Sequence, residues 1–154
     1  MRKQLTILAL LAAASLPAKD IFVNTPRTTL LLKAEDNKPL HISYYGDKVT
    51  DAEEVYRAFS LWQEAYPAFG LGNDFIPALS VRHADGNMST ELVYQSDKET
   101  KEANATVYTI TMKDKAYDFY VDMCYRAYDN CDVIEAWSVI RNGEKKPVTL
   151  LKYA

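Results

Sequence analysis

Apolar and polar residues alternate most clearly in the second half of the chain. Phe119, Val121, Met123, Tyr125 and Ala127 are each separated by one residue of a more polar set. A period of two residues is typical of a strand with one buried face. Further strands are predicted at 106–112, 131–140 and 148–153, with turns at 113–115, 129–130 and 141–144 between them.

The first half of the mature chain shows the same kind of pattern in shorter segments. Strands are predicted from Ile21 onward, at 27–34, 40–45, 79–83 and 91–95, and the polar tract 96–103 is expected to be a solvated connection. Short strands spaced by roughly 8–12 residues with hairpin turns indicate an all-β fold, an antiparallel β-sandwich.

One segment, 51–62, has a partly helical period. Val55, Phe59 and Trp62 are spaced by four and three residues, and acidic residues occupy what would be the first turn. This pattern fits one short helix, and the alternative is an extended lead into the loop, because Pro67 follows soon after.

The segment from Glu64 to Ala78 is the most distinctive loop of the sequence. Gly70 and Gly72 permit positive φ angles, and the loop also contains two prolines, two phenylalanines and an Asn-Asp pair. Binding residues concentrate in loops held by a rigid scaffold, so function is expected here. Asp74 is the candidate carboxylate, although an Asx turn within the loop explains it equally well.

Composition and charge narrow the class of protein. The chain has 154 residues, 48% hydrophobic and 25% charged, with a formal net charge of −3. The eighteen basic residues are scattered and outnumbered by twenty-one acidic ones, which argues against a nucleic-acid partner.

The N-terminus has the pattern of a signal peptide. A basic start is followed by an apolar run from Leu5 to Leu16 and by small residues that offer cleavage sites, so residues 1–18 are predicted to be removed on export. The apolar run is shorter than the roughly 20 residues of a membrane-spanning helix, and no membrane partner is expected. The mature domain, 19–154, is predicted to be periplasmic or secreted.

The remaining reactive residues do not form a recognisable catalytic set. His41 and His83 lie in strand patterns without a carboxylate or cysteine at ligand spacing, so they are interpreted as structural. An exported compartment would allow a disulfide between Cys124 and Cys131. However, a two-residue turn at Asp129-Asn130 would place Cys124 opposite Glu135 and separate the two sulfurs.

An ordered set of short motifs resembles the N-terminal β-domain of bacterial alpha-galactosidases of glycoside hydrolase family 36. The set covers essentially all of the mature chain, and its members are Thr25-Pro26-Arg27-Thr28-Thr29-Leu30, Tyr44-Tyr45-Gly46, the loop Glu64-Ala65-Tyr66-Pro67-Ala68-Phe69-Gly70, Pro77-Ala78-Leu79, Asp85-Gly86-Asn87, Tyr125-Arg126-Ala127-Tyr128, Asp132-Val133-Ile134-Glu135-Ala136-Trp137 and Pro147-Val148-Thr149-Leu150.

The resemblance implies a portion of a β-supersandwich that precedes a catalytic (β/α)8 barrel in whole enzymes. Such enzymes release galactose from alpha-galactoside oligosaccharides without a metal or organic cofactor, and their catalytic aspartates lie in the barrel. The barrel is absent from this chain, which is therefore expected to be an inactive, incomplete N-terminal domain that supports the sugar site and homo-oligomer assembly.

The resemblance also suggests site residues. The family loop reads approximately Gly-Asp-Phe-Arg, and here Asn73, Asp74 and Phe75 stand at that place, with an extra asparagine and without the arginine. Asp74, Phe75, Asn73 and Trp62 are the predicted substrate-binding residues, and either Asn73 or Asp74 fills the acidic position. The alternatives are a free-standing carbohydrate-binding or interaction module and a truncated product without independent function.

Overall fold

The computed structural model describes residues 18–58, 63–70 and 76–154. Its elements, in chain order, are β1 (Lys19–Asn24), β2 (Thr28–Ala34), β3 (His41–Asp47), α1 (Ala52–Ala58), β4 (Gln63–Glu64), β5 (Ser80–Arg82), β6 (Leu92–Lys101), β7 (Ala105–Asp114), β8 (Phe119–Tyr128), β9 (Ile134–Asn142) and β10 (Thr149–Lys152). Most of the predicted signal peptide, residues 1–17, lies outside the described residues.

The described strands form three antiparallel sheets. Two have four strands, in the orders β1-β2-β3-β4 and β6-β7-β8-β9, and the third pairs β10 with β5. The antiparallel strands and the one short helix found among the described residues confirm the predicted all-β sandwich. Among the described residues, no helix is long and apolar enough to span a membrane.

The core lies between the two four-stranded sheets. The alternating residues of β8, from Phe119 to Ala127, are buried and pack with Leu30 and Leu32 of β2 and with Ile110 of β7. The period-2 pattern of β8 therefore predicted its buried face correctly.

β2 is buried on both faces, which explains its run of three leucines. Leu31 points away from the main core and packs with Ala52 and Val55 of α1 in a second, smaller cluster. The start of α1 is capped, because the Glu53 backbone N–H donates to Asp51 Oδ1 at 2.9 Å. The predicted helix is confirmed from Ala52 to Ala58, and positions 59–62 lie outside the described residues.

One of the predicted connections is wrong. Residues 96–101 do not form a connection but continue β6, since Ser96 through Lys101 pair with β7. All six residues are polar, and β6 is an edge strand of its sheet, where polar side chains remain in contact with solvent. The last strand, β10, crosses to pair with β5.

The turn before β9 is longer than predicted, so the expected register is also wrong. Ala127 lies opposite Ile134, and the Tyr128 N–H donates to Val133 O, which moves the pairing by two residues. Cys124 consequently lies opposite Trp137 rather than Glu135. Both cysteines are free, with Cys124 buried and Cys131 exposed.

Candidate functional site

The described ends of the 64–78 loop form a stem. Ala68 and Leu79 make an isolated parallel bridge, and the Phe69 N–H donates to Leu79 O at 2.9 Å. The Ala78 N–H donates to Pro67 O, also at 2.9 Å. These bonds hold the two ends of the loop side by side, with Ala68 and Leu79 both buried in the core.

A second anchor ties the stem to the segment before β6. The Thr90 N–H donates to Phe69 O at 3.0 Å, and Thr90 is fully buried. Gly70 has a φ of +117°, and a Cβ built there would lie 2.5 Å from the Cα of Ser89. Only glycine fits this backbone conformation and this close approach.

All four predicted substrate-binding residues lie outside the described residues. Asn73, Asp74 and Phe75 fall in 71–75, and Trp62 falls in 59–62. Phe69, the residue before Gly70 at the described end of the stem, is 46% exposed, and Ile76, which follows residues 71–75, is 82% exposed. The described stem thus has a buried base and exposed residues on either side of positions 71–75.

A cleft of about 290 Å³ opens beside the stem. Its walls are mostly apolar, and its two hydroxyl groups come from Tyr66 and Ser138. Both hydroxyls donate to the backbone oxygen of Ala154, at 2.8 and 2.7 Å. No local motif in the sequence indicates this cleft, because Tyr66 and Ser138 are 72 residues apart.

His83 has the partners of a structural histidine. Its ring is buried, stacks on Tyr117 with centroids 3.7 Å apart, and meets Phe119 edge-on. Nδ1 lies 2.8 Å from Glu144 Oε1, and Nε2 lies 3.4 Å from Thr90 Oγ1. The carboxylate partner was missed because Glu144 is 61 residues away in sequence.

The carboxylates of the second sheet pair with cations. Asp122 binds Arg141 at 2.7 Å, and Glu135 binds Arg126 at 2.8 Å, so both are cross-strand ion pairs between β8 and β9. Asp132 lies in the turn before β9 rather than on a strand. It accepts bonds from the Arg27 backbone and guanidinium, and so links the two sheets.

Four described aspartates have lowered pKa values. Burial acts to raise the pKa of Asp122, but hydrogen bonds from Arg141 and Thr111 outweigh it. Burial likewise acts on Asp97, and the bonds from Lys19 and Tyr94 outweigh it. The pKa of Asp132 falls because of its bonds from Arg27.

The pKa of Asp85 is also lowered, chiefly because its carboxylate accepts the Asn87 backbone N–H and then the Tyr117 hydroxyl. All four groups therefore favour the ionised form and serve as acceptors. Within the described parts of the chain, no group of three or more histidine, cysteine, aspartate or glutamate side chains could hold a metal ion.

Comparison with known proteins agrees with this architecture. Residues 37–154 match the model of the glycosyl hydrolase family 36 N-terminal domain. No curated protein sequence matches the chain.

Several solved structures share the fold. One is the GH36 alpha-galactosidase AgaA from Geobacillus stearothermophilus in complex with raffinose, with a TM-score of 0.75 at 20% identity over 88% of this chain and 24% of that one. Another is the galactosidase domain of the alpha-galactosidase-sucrose kinase AgaSK, with a TM-score of 0.76 at 22% identity over 86% of this chain and 23% of that one.

The alpha-galactosidase from Lactobacillus brevis is also similar, with a TM-score of 0.71 at 18% identity over 87% of this chain and 23% of that one. The chain spans about a quarter of the length of these solved structures.

Proposed function

The chain belongs to the family of glycosyl hydrolase family 36 N-terminal domains, and we propose that it is the non-catalytic N-terminal domain of an exported alpha-galactosidase-like glycoside hydrolase. In this role it supports a sugar site and oligomer assembly, while the hydrolysis of alpha-galactosides is carried out by a (β/α)8 barrel outside this chain.

The observation that carries this proposal is the family match over 37–154 on a fold shared with alpha-galactosidases. Because this chain spans about a quarter of those structures, chemistry elsewhere in a longer enzyme is the consistent reading. In this proposal both catalytic aspartates lie in the barrel, outside this chain.

Four of the described aspartates have the environment of structural groups rather than of a catalytic pair. A retaining glycosidase needs one carboxyl group with a raised pKa as general acid and a second as nucleophile, about 5–5.5 Å apart. The four described aspartates with perturbed pKa values are all shifted downward, and their oxygens already accept hydrogen bonds. Such groups are suited to holding the sandwich together rather than to donating a proton.

The loop stem supports the proposed contact with a sugar. Its base is buried and hydrogen-bonded at Leu79 and Thr90, so the described ends of the loop, which flank residues 71–75, are fixed to the sandwich. In this proposal Asp74, or Asn73 in its place, accepts hydrogen bonds from galactose hydroxyls, while Phe75 and Trp62 pack on the sugar face.

The test is an activity and binding assay on the purified chain. We expect no turnover of an aryl alpha-galactoside and no saturable binding of raffinose, because the barrel half of the site is missing. Turnover would overturn the proposal. Reading the gene beyond the codon for Ala154 provides an independent test, since an open frame encoding a barrel is expected there.

A free-standing carbohydrate-binding module is the second candidate, and the exposure of Phe69 favours it. A module of this kind should bind glycans without a partner and lose affinity in Trp62→Ala, Phe69→Ala and Phe75→Ala. Tyr45→Ala is the matched control, since Tyr45 is an aromatic residue of β3 that is 65% exposed. Glycan binding that depends on the loop aromatics would favour this module over the accessory domain.

Export is part of the proposal because of the basic and apolar N-terminal pattern. We expect N-terminal sequencing of the protein from the periplasm or medium to begin near Lys19. Recovery of the intact Met1 terminus from the cytoplasm alone would contradict export.

A further inference from the structure

The connection between β5 and β6, residues 83–91, supports the loop stem at two adjacent positions. The Thr90 N–H donates to Phe69 O at 3.0 Å. The preceding residue, Ser89, lies so close to Gly70 that a Cβ built on the glycine would be 2.5 Å from Ser89 Cα. The place of Phe69 and Gly70 on the sandwich therefore depends on what holds this connection.

His83 holds the connection near both of its ends. Its backbone closes a turn, since the His83 N–H donates to Asn87 O at 2.8 Å and its carbonyl accepts the Gly86 N–H at 2.9 Å. Its ring, which is buried, reaches the far end, where Nε2 lies 3.4 Å from Thr90 Oγ1. One side chain thus joins the start of the connection to the residue that bonds Phe69.

Glu144, in the turn between β9 and β10, sets the orientation of the ring. Its Oε1 lies 2.8 Å from His83 Nδ1. A carboxylate oxygen accepts, so Nδ1 is the donor whether the ring is neutral or charged. The Thr90 hydroxyl can both donate and accept, so it can pair with Nε2 in either state. Glu144 is placed in turn by its own backbone N–H, which donates to Asn142 Oδ1 at 3.0 Å.

Tyr117, in the turn between β7 and β8, is the second residue that holds the connection. Its ring stacks on His83 with centroids 3.7 Å apart and planes within 6° of parallel. Its hydroxyl donates to Asp85 Oδ2 at 2.8 Å and accepts from Asn87 Nδ2 at 2.9 Å. Both partners belong to the turn that His83 closes, so the stacked rings and the hydroxyl together fix this turn to the β7-β8 hairpin.

We propose that His83 and Tyr117 are positioning residues for the proposed sugar site, because they hold residues 85–90 in the place where this segment supports the stem of the 64–78 loop. Neither ring contacts the sugar in this proposal. Their effect is transmitted through the stem, which immediately precedes residues 71–75. This inference deepens the function proposed above and rests on it for the identity of the ligand.

Hydrogen bonding, and not apolar packing alone, distinguishes this cluster. Filling the space between two sheets needs only apolar side chains, whereas a buried polar group costs free energy unless it is bonded. Here both nitrogens of His83 and the hydroxyls of Tyr117 and Thr90 have partners, and each of these bonds involves a residue of the segment 83–90. A fully bonded network specifies one arrangement of its members. The cluster is therefore suited to fixing a backbone segment in place.

The test is nuclear magnetic resonance of the full 154-residue chain and of its folded variants. The native chain should show a strong nuclear Overhauser contact between the α-hydrogens of Gly70 and Ser89, whose backbones approach closely. Tyr117→Phe keeps the stack but loses both hydroxyl bonds, and His83→Leu loses the stack and both ring bonds. We expect the contact to weaken severalfold in both variants, because its intensity falls with the sixth power of the distance.

Tyr120→Phe is the matched control, because it also removes a tyrosine hydroxyl bond, to Asp118 at 2.6 Å, but one that lies outside the connection. This variant should keep the contact between Gly70 and Ser89. Glu144→Gln retains an acceptor oxygen for His83 and should keep the contact too, whereas Glu144→Ala should weaken it.

A residue that serves packing alone would lower the midpoint of urea denaturation without changing this contact in the folded chain. That result in both Tyr117→Phe and His83→Leu would overturn the positioning role. The readout does not depend on alpha-galactoside turnover, so the two proposals fail separately. An unchanged contact refutes the positioning role, and turnover by the native chain refutes the accessory function.

Discussion

Gly70 lies against Ser89 at the end of the described stem, and replacing it by alanine tests the stem directly. Two separate costs are expected. The φ of +117° is outside the conformations that alanine readily adopts, which costs about 1–3 kcal/mol of the free energy of unfolding. The new Cβ would also lie 2.5 Å from Ser89 Cα and 2.9 Å from Ser89 Cβ. Relieving such overlap by backbone shifts costs about 1–3 kcal/mol more.

Gly86→Ala is the matched control that separates the two costs. Gly86 also has a positive φ, +91°, but a Cβ built there meets nothing within 4 Å. This variant should therefore lose the conformational part alone, and Gly70→Ala should lose the sum of both. In Gly70→Ala with Ser89→Gly, stability should recover in part, because the overlap with Ser89 Cβ disappears while the overlap with Ser89 Cα stays.

The assay is urea denaturation of the three variants and the native chain, which gives the free energy of unfolding from the midpoint and slope. A melting curve should agree, with a fall of roughly 2–4 °C per kcal/mol for a domain of this size. If Gly70→Ala were no less stable than Gly86→Ala, the stem would not approach Ser89 as described, and the argument for a fixed loop base would be wrong.

Three further predictions test the core, the cysteines and the pH dependence. Leu79→Ala removes a fully buried side chain at the base of the stem and should cost about 2–5 kcal/mol by urea denaturation; a loss below about 1 kcal/mol would contradict its place in the core. A thiol reagent should label exposed Cys131 in the folded chain but reach Cys124 only after unfolding, since Cys124 is buried and burial raises the pKa of its thiol; rapid labelling of both would refute this. The lowered pKa of Asp122 means that its contribution to stability is present above the ordinary aspartate pKa of about 4 and is lost as pH falls through the folded-state value. Asp122→Asn should therefore melt lower than the native chain near neutral pH and converge with it in acid, and a constant difference at all pH values would contradict the cause given.

The parts of the fold that sequence predicted are those with a strong local signal. The alternation in β8 placed Phe119 and Val121 on the buried face, and the spacing of acidic and apolar residues around Val55 predicted α1. In both segments the buried pattern is repeated within a few residues, so no knowledge of distant contacts is needed.

The features that sequence missed depend on distant partners. The polar residues of β6 are strand because β7 supplies hydrogen bonds along their length, and no apolar alternation marks them. Glu144 contacts His83 across 61 positions of the sequence. Ala154 accepts hydrogen bonds from Tyr66, 88 positions away, and from Ser138, 16 positions away, and so brings the two hydroxyls together at one cleft. The turn before β9 is two residues longer than the sequence predicts, because Asp132 binds Arg27 instead of continuing the strand.

The most direct test of the central claim is the hydrolysis assay on the purified chain with an aryl alpha-galactoside. The chain is proposed to have a supporting role, and Asp122 and Asp132 are held as ionised acceptors by their hydrogen bonds, which lower their pKa values. We therefore expect no release of the aryl group above the rate without protein, and the same null rate for Asp74→Ala. Saturable turnover by the native chain that is lost in Asp74→Ala would contradict the account, because it would place the catalytic chemistry within these 154 residues.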